Sequence, residues 1–94
     1  MQLTTTEYQI MSATMVFGKS YALEIMRQDH RIKRGSIYVT LARLKKKGYL
    51  EITLKDNPTQ SGLPRPLYEV NGLGKRAIKA YELAEAMLAS ELVT

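Results

Sequence analysis

Apolar residues recur along most of this chain at helical spacing, broken by glycines and by one stretch of alternation. Thr4 to Glu7 spells a capping box, in which the Thr4 hydroxyl accepts from the amide three residues on and Glu7 reaches back to the cap. A first helix is predicted to run from there to about Phe17, with Ile10, Ala13 and Phe17 on one apolar face and Met11 and Met15 on its neighbour. That is more apolar surface than one core contact requires, so the helix is expected to be covered on two sides. Gly18 ends it and Ser20 is a candidate cap. A short second helix carrying Tyr21, Leu23, Ile25 and Met26 then reaches about Gln28, and Asp29 to Lys33 reads as a polar turn.

The most informative segment is Gly35 to Glu51, GSIYVTLARLKKKGYLE. Ile37, Leu41 and Leu44 recur at i, i+4 and i+7 and make a packing face, while Ser36, Val39, Thr40, Arg43 and Lys47 are expected to turn away from it. Gly48 supplies the left-handed residue that releases a helix, and Lys45, Lys46 and Lys47 in the last turn complement its dipole. Tyr49 to Leu54 alternates like a strand, DNPTQSGLPRP reads as a hairpin tip, and Leu67 to Val70 is the return strand. Asn71 is a candidate cap for a last helix from about Leu73 to Leu92. Its stripe of Ala77, Tyr81, Ala84 and Leu88 is widened by Ile78, Met87 and Leu92. At roughly 30 Å this helix outreaches the small core beneath it, and its surplus face is expected to meet another chain. The order H1-H2-H3-S1-S2-H4, mostly α with a small β-hairpin, is the winged helix-turn-helix pattern. Residues 1–72 would form the winged unit and 73–94 a dimerisation helix within the same compact body.

Composition narrows the function. Ninety-four residues make one domain, with little room for an enclosed active site. There is no cysteine and only one histidine, His30, so thiolate metal sites are excluded and no metal or cofactor is expected. No nucleophile paired with a base and no phosphate-binding glycine fingerprint appears, so no catalytic residue is assigned and an enzyme is not expected. No long apolar run or secretion signal stands out, and a cytoplasmic, nucleoid-associated protein is expected rather than a membrane one. The net charge is +5, but between Arg27 and Lys55 nine cations face two acids. That concentration favours a polyanion such as double-stranded DNA. A lysine-rich solvated face is the plain alternative for KKK alone.

Two stretches together resemble the PadR family of bacterial transcriptional regulators. GSIYVTLARLKKKGYLE is similar to the family's recognition helix and first wing strand, and LPRPLYEVNGLGKRAI to its return strand and the opening of its terminal helix. The resemblance runs from about Glu7 to Tyr81 and is to the shorter members with a single terminal helix. It implies a homodimer, joined through that helix, that represses transcription by setting two recognition helices in successive major grooves of a palindrome. Ser36, Tyr38, Thr40 and Arg43 match the DNA-facing part of the motif, and Arg65 the wing position. The chain departs from the family at Ala22-Leu23-Glu24-Ile25, where Gly-Tyr-Glu-Ile is usual, at Val70-Asn71 in place of Leu-Thr, and at Tyr21 in place of the customary histidine or similar residue.

Each residue also has its own chemistry. Arg43 is the candidate for bidentate reading of guanine, with a phosphate contact as its alternative. The Tyr38 phenol has either a phosphate or an internal partner. Lys33 and Arg34 stand at a helix N-terminus, where backbone amides already favour anions. Val39, Lys46 and Lys47 extend the DNA face, and Lys55 and Arg65 flank the wing. The dimer seam is assigned to Tyr8, Met11, Met15, Ile78, Tyr81, Ala84, Met87, Leu88 and Leu92. Within it, Tyr8, Met11, Met15, Tyr81 and Met87 are candidates for a pocket that takes a small aromatic effector, or for plain packing. The alternative function is a winged-helix protein-interaction module with a basic face and no specific operator.

Overall fold

In a computed structural model that describes residues 3–55 and 64–93, the order of elements is α1 (Thr5–Met15), β1 (Lys19–Tyr21), α2 (Ala22–Gln28), α3 (Arg34–Lys46), β2 (Leu50–Lys55), β3 (Arg65–Val70) and α4 (Gly72–Val93). This is the expected winged helix-turn-helix with one strand added. β1 pairs antiparallel with β3, Ser20 opposite Tyr68, giving a three-stranded sheet in the order β1-β3-β2. Ser20 therefore does not cap α2. Its buried hydroxyl donates to the Thr14 carbonyl at 3.2 Å, and the second helix starts after Tyr21, whose amide donates to the Glu24 carboxylate at 2.8 Å. The expected hairpin tip at 56–63 lies outside the described residues.

The capping box at Thr4 forms as expected: Thr4 N–H donates to Glu7 at 2.8 Å, and Glu7 N–H to the Thr4 hydroxyl at 3.1 Å. α1 is the central element, packed by α2, α3, β3 and α4. Ile10, Met11, Ile25, Ile37, Leu41, Leu44 and Leu50 are all at 1% exposure or less and form the core. Phe17 is not part of it. α1 ends at Met15, Gly18 takes φ +77°, and Phe17 is left exposed in the turn between them.

A second junction holds α3, β2 and α4 together. α3 unwinds at Gly48, φ +85°, whose carbonyl accepts from the Asn71 side-chain amide at 2.7 Å. The Asn71 carbonyl side-chain oxygen caps α4 by accepting from Gly74 N–H at 2.9 Å, and its backbone N–H donates to the Tyr49 carbonyl at 3.1 Å. One asparagine thus ties the end of the third helix to the start of the last. Gly74 allows this closeness, because a Cβ there would stand 2.5 Å from the Tyr49 carbonyl oxygen and 2.7 Å from Val70. Beyond Glu82, whose carboxylate accepts from Tyr8, α4 is exposed apart from half-buried Ala84 over its described side chains. Leu83, Met87 and Leu88 are each more than half exposed, and the radius of gyration is 14.8 Å, above the roughly 12 Å of a compact chain of this length.

Candidate nucleic-acid interface

The amphipathic logic of α3 separates its two faces. Ile37, Leu41 and Leu44 face the core, and Arg34, Tyr38, Val39, Ala42, Arg43, Lys45 and Lys46 lie on the exposed side. Tyr38 and Val39 retain 55% and 60% of their exposure, so Tyr38 is not a core residue. Lys33 is the N-cap, and no side chain closes the helix there. The first turn therefore presents backbone amides beside two exposed cations, Lys33 and Arg34, an arrangement that suits an anion. Ser36 is half-buried, and its hydroxyl donates to the Lys33 carbonyl at 3.2 Å.

Two of the residues expected on this face are elsewhere. Thr40 is buried at 5% exposure, because it lies three residues after Ile37 and one before Leu41, within the packing stripe. Its hydroxyl does not face outward. Lys47 turns inward to Glu7, with Nζ 2.7 Å from the carboxylate, and keeps only 21% of its side-chain exposure, while Glu7 keeps none. Burial alone would raise the Glu7 pKa, but the hydrogen bonds from Lys47 and Thr4 outweigh it and hold the group below its ordinary value. Lys47 is thus committed to locking α3 onto the start of α1.

At the wing, Lys55 and Arg65 are directly opposite one another across β2 and β3. Facing cations repel, and Arg65 lies instead over the ring of Tyr21, with Cζ 4.1 Å from its centroid. The sequence reading did not connect these two residues, since the contact depends on β1, a strand of only three residues.

The residues assigned to a dimer seam also divide. Met11 at 0% and Ile78 at 8% exposure belong to the core of the single chain. Tyr8 and Tyr81 stack on each other within the chain, centroids 4.3 Å apart and planes 16° from parallel. Tyr8 donates to Glu82 at 2.8 Å, which raises its phenol pKa, with burial adding to the effect. These contacts bind α1 to α4. Met15, Met87 and Leu88 remain exposed and Ala84 half-buried, and Leu83, four residues before Met87, joins the exposed set. The Leu92 side chain lies outside the described residues. The five side chains expected to line an effector pocket do not share one cavity within the chain: Tyr8 and Tyr81 stack and border a groove with Glu82, and Met11 lies in the core. Met87 borders a groove of about 510 Å³ with Leu3, Tyr81 and Leu88, whereas Met15 borders a different one with Ser12 and Ile78.

No helix among the described residues is long and apolar enough to cross a membrane. The family model described as "Transcriptional regulator PadR-like family" matches residues 13–80. Among solved structures, a PadR-like transcription factor from Bacteroides fragilis is similar with a TM-score of 0.79 at 26% identity, over 92% of this chain and 84% of that one. A PadR family regulator from Clostridium difficile R20291 gives 0.78 at 20% identity, over 95% of each chain. BpsR of Bordetella bronchiseptica, whose DNA binding is regulated by 6-hydroxynicotinic acid, gives 0.72 at 17% identity, over 95% of this chain and 64% of its own. At those identities the last two speak for the fold alone. No curated protein matches the sequence. The matched family is one of transcription regulators, not enzymes, and the Bacteroides fragilis neighbour is a transcription factor.

Proposed function

The chain belongs to the PadR-like family of transcriptional regulators, and from that premise we propose that it is a sequence-specific repressor that binds a palindromic operator as a homodimer. The observation that carries this reading is the outward face of α3, where Arg34, Tyr38, Val39, Arg43 and Lys46 are exposed beside an uncapped helix N-terminus. Residues 1–72 form the DNA-reading unit. Its first-turn amides, with Lys33 and Arg34, hold a phosphate, and Lys46 and Lys55 add backbone contacts that set the register. Arg43 reads a guanine in the major groove.

Residues 73–94 supply the dimer helix. Leu83, Met87 and Leu88 expose an apolar strip on the part of α4 that leaves the body, and pairing two copies removes it from water. Tyr8 and Tyr81 fix the angle at which this helix leaves α1, so they set the separation of the two α3 helices.

The test is a titration of the full chain against duplexes selected from the DNA flanking its own gene, at fixed salt, with random duplex as competitor. The expected result is a preferred fragment bound at least about 10³-fold more tightly than random DNA. Equal affinity for all duplexes would instead favour a basic interaction module without an operator.

A further inference from the structure

The exposed face of α3 offers a narrow set of chemistries. Its sequence, RGSIYVTLARLKK, holds no Asn, Gln, Asp or Glu, the side chains that pair with the major-groove edges of adenine and cytosine. Of its two hydroxyl residues, Thr40 is buried, and half-buried Ser36 spends its one proton on the Lys33 carbonyl and keeps only an acceptor. Guanidinium, ammonium, one phenol and aliphatic carbon remain.

Cations and the phenol have phosphate as a partner, but Val39 does not. Val39, 60% exposed, stands in the middle of a face whose long side chains are suited to a polyanion. An exposed aliphatic residue is ordinary on a protein surface, and Ala42 exposes a smaller one on this face too. Its position is what sets Val39 apart, since Arg43 follows it by four residues and therefore lies on the same side of the helix, one turn on. The major groove displays one matching apolar group, the C5-methyl of thymine.

Resting on the DNA-binding reading above, we infer that Val39 is a specificity-determining residue that packs against a thymine C5-methyl group beside the guanine read by Arg43. Four residues rise about 6 Å along a helix, and base pairs are stacked about 3.4 Å apart. The thymine and the guanine therefore lie within about two base-pair steps, on either strand. The half-site is read as guanine plus methyl, with no amide contact to adenine from this helix.

The experiment uses the full chain and a duplex selected from a random library. Each thymine in turn is replaced by deoxyuridine, which removes the methyl group and keeps the pairing and the O4 acceptor. One thymine per half-site, near the guanine whose replacement is no longer felt by Arg43→Ala, is expected to lose affinity about fourfold, the contribution of one buried methyl-sized group. Val39→Ala is expected to bind the thymine duplex several-fold more weakly and to lose this sensitivity. Alanine favours an exposed helix position, so the variant should match the parent in circular dichroism and melting. If a preferred site is recovered and every deoxyuridine duplex binds like the parent, the inference is overturned while DNA recognition stands. A deoxyuridine effect that persists undiminished in Val39→Ala overturns it also, by giving the methyl to another side chain. Recovery of no preferred site overturns the DNA-binding reading and this inference together.

Discussion

Lys47→Met removes one half of the ion pair that joins the end of α3 to the start of α1. Glu7 has no exposed surface, and the Lys47 ammonium is 2.7 Å from its carboxylate. Breaking such a pair from one side costs about 3–5 kcal/mol, because a buried charge is left without its partner. Lys47 keeps 21% of its side-chain exposure, so water weakens the pair and the lower end, about 3 kcal/mol at pH 7, is expected. The pH dependence is the sharper signature. In the parent, the Glu7 pKa is below its ordinary value of 4.5, so its stabilisation is complete above that value and is lost as pH falls through the folded pKa. In Lys47→Met the two lowering causes from Lys47 are gone and burial, the largest single cause, is opposed only by the bonds from Thr4, so the folded pKa of Glu7 moves up. The stability that an ionised Glu7 contributes above its folded pKa shrinks accordingly. The gap between the two proteins should therefore widen from pH 4 to pH 7. Urea unfolding at steps of pH, at one protomer concentration, measures it. Taking the difference cancels other carboxylates, including Asp29, which its hydrogen bonds from Arg31 hold at about 2. A loss below about 1 kcal/mol at pH 7 that does not change with pH would refute a buried, paired Glu7.

Arg43→Ala should cost about 1–3 kcal/mol of preference for operator over random DNA, and equal loss on both duplexes in a binding titration would make Arg43 a phosphate contact. Lys46→Ala should leave sequence preference intact and lower the slope of log affinity against log salt by about one; an unchanged slope would remove Lys46 from the interface. Gly74→Ala forces a Cβ against the Tyr49 carbonyl and Val70, and should lower stability by about 1–3 kcal/mol or more in thermal melts. A melting temperature equal to the parent's would mean that α4 shifts freely against Tyr49 and Val70. Leu88→Glu should sediment as a monomer at micromolar concentration, because a charge at the paired strip must be desolvated; a dimer that still binds operator would place the interface elsewhere.

The sequence made local features legible. The capping box at Thr4, the stop at Gly48, the cap at Asn71 and the Ile37-Leu41-Leu44 stripe each depend on residues within a turn or two of one another, and each is present. What escaped depends on partners far along the chain or on polarity that misleads. β1 is three residues long, too short to show alternation, and exists because β3 offers it an edge. Lys47 reads as one of three equivalent lysines until Glu7, forty residues away, claims it. Thr40 carries a hydroxyl yet occupies a core position of its helix, as Thr14 does by donating its own hydroxyl to the Ile10 carbonyl at 2.7 Å. The apolar surplus of α1 and α4 was legible as surplus. Its division between a core within one chain, at Met11 and Ile78, and an exposed strip at Met87 and Leu88 was not, because both kinds of position share the same helical period.

Hydroxyl-radical footprinting of the full chain on its selected fragment tests the central claim most directly, since it reads where two recognition helices sit on one duplex. The account predicts two protected segments related by a dyad, their centres one helical turn apart at about 10–10.5 base pairs or a multiple of it. A single protected segment, or protection spread evenly along the fragment, would contradict a dimer that reads a palindrome.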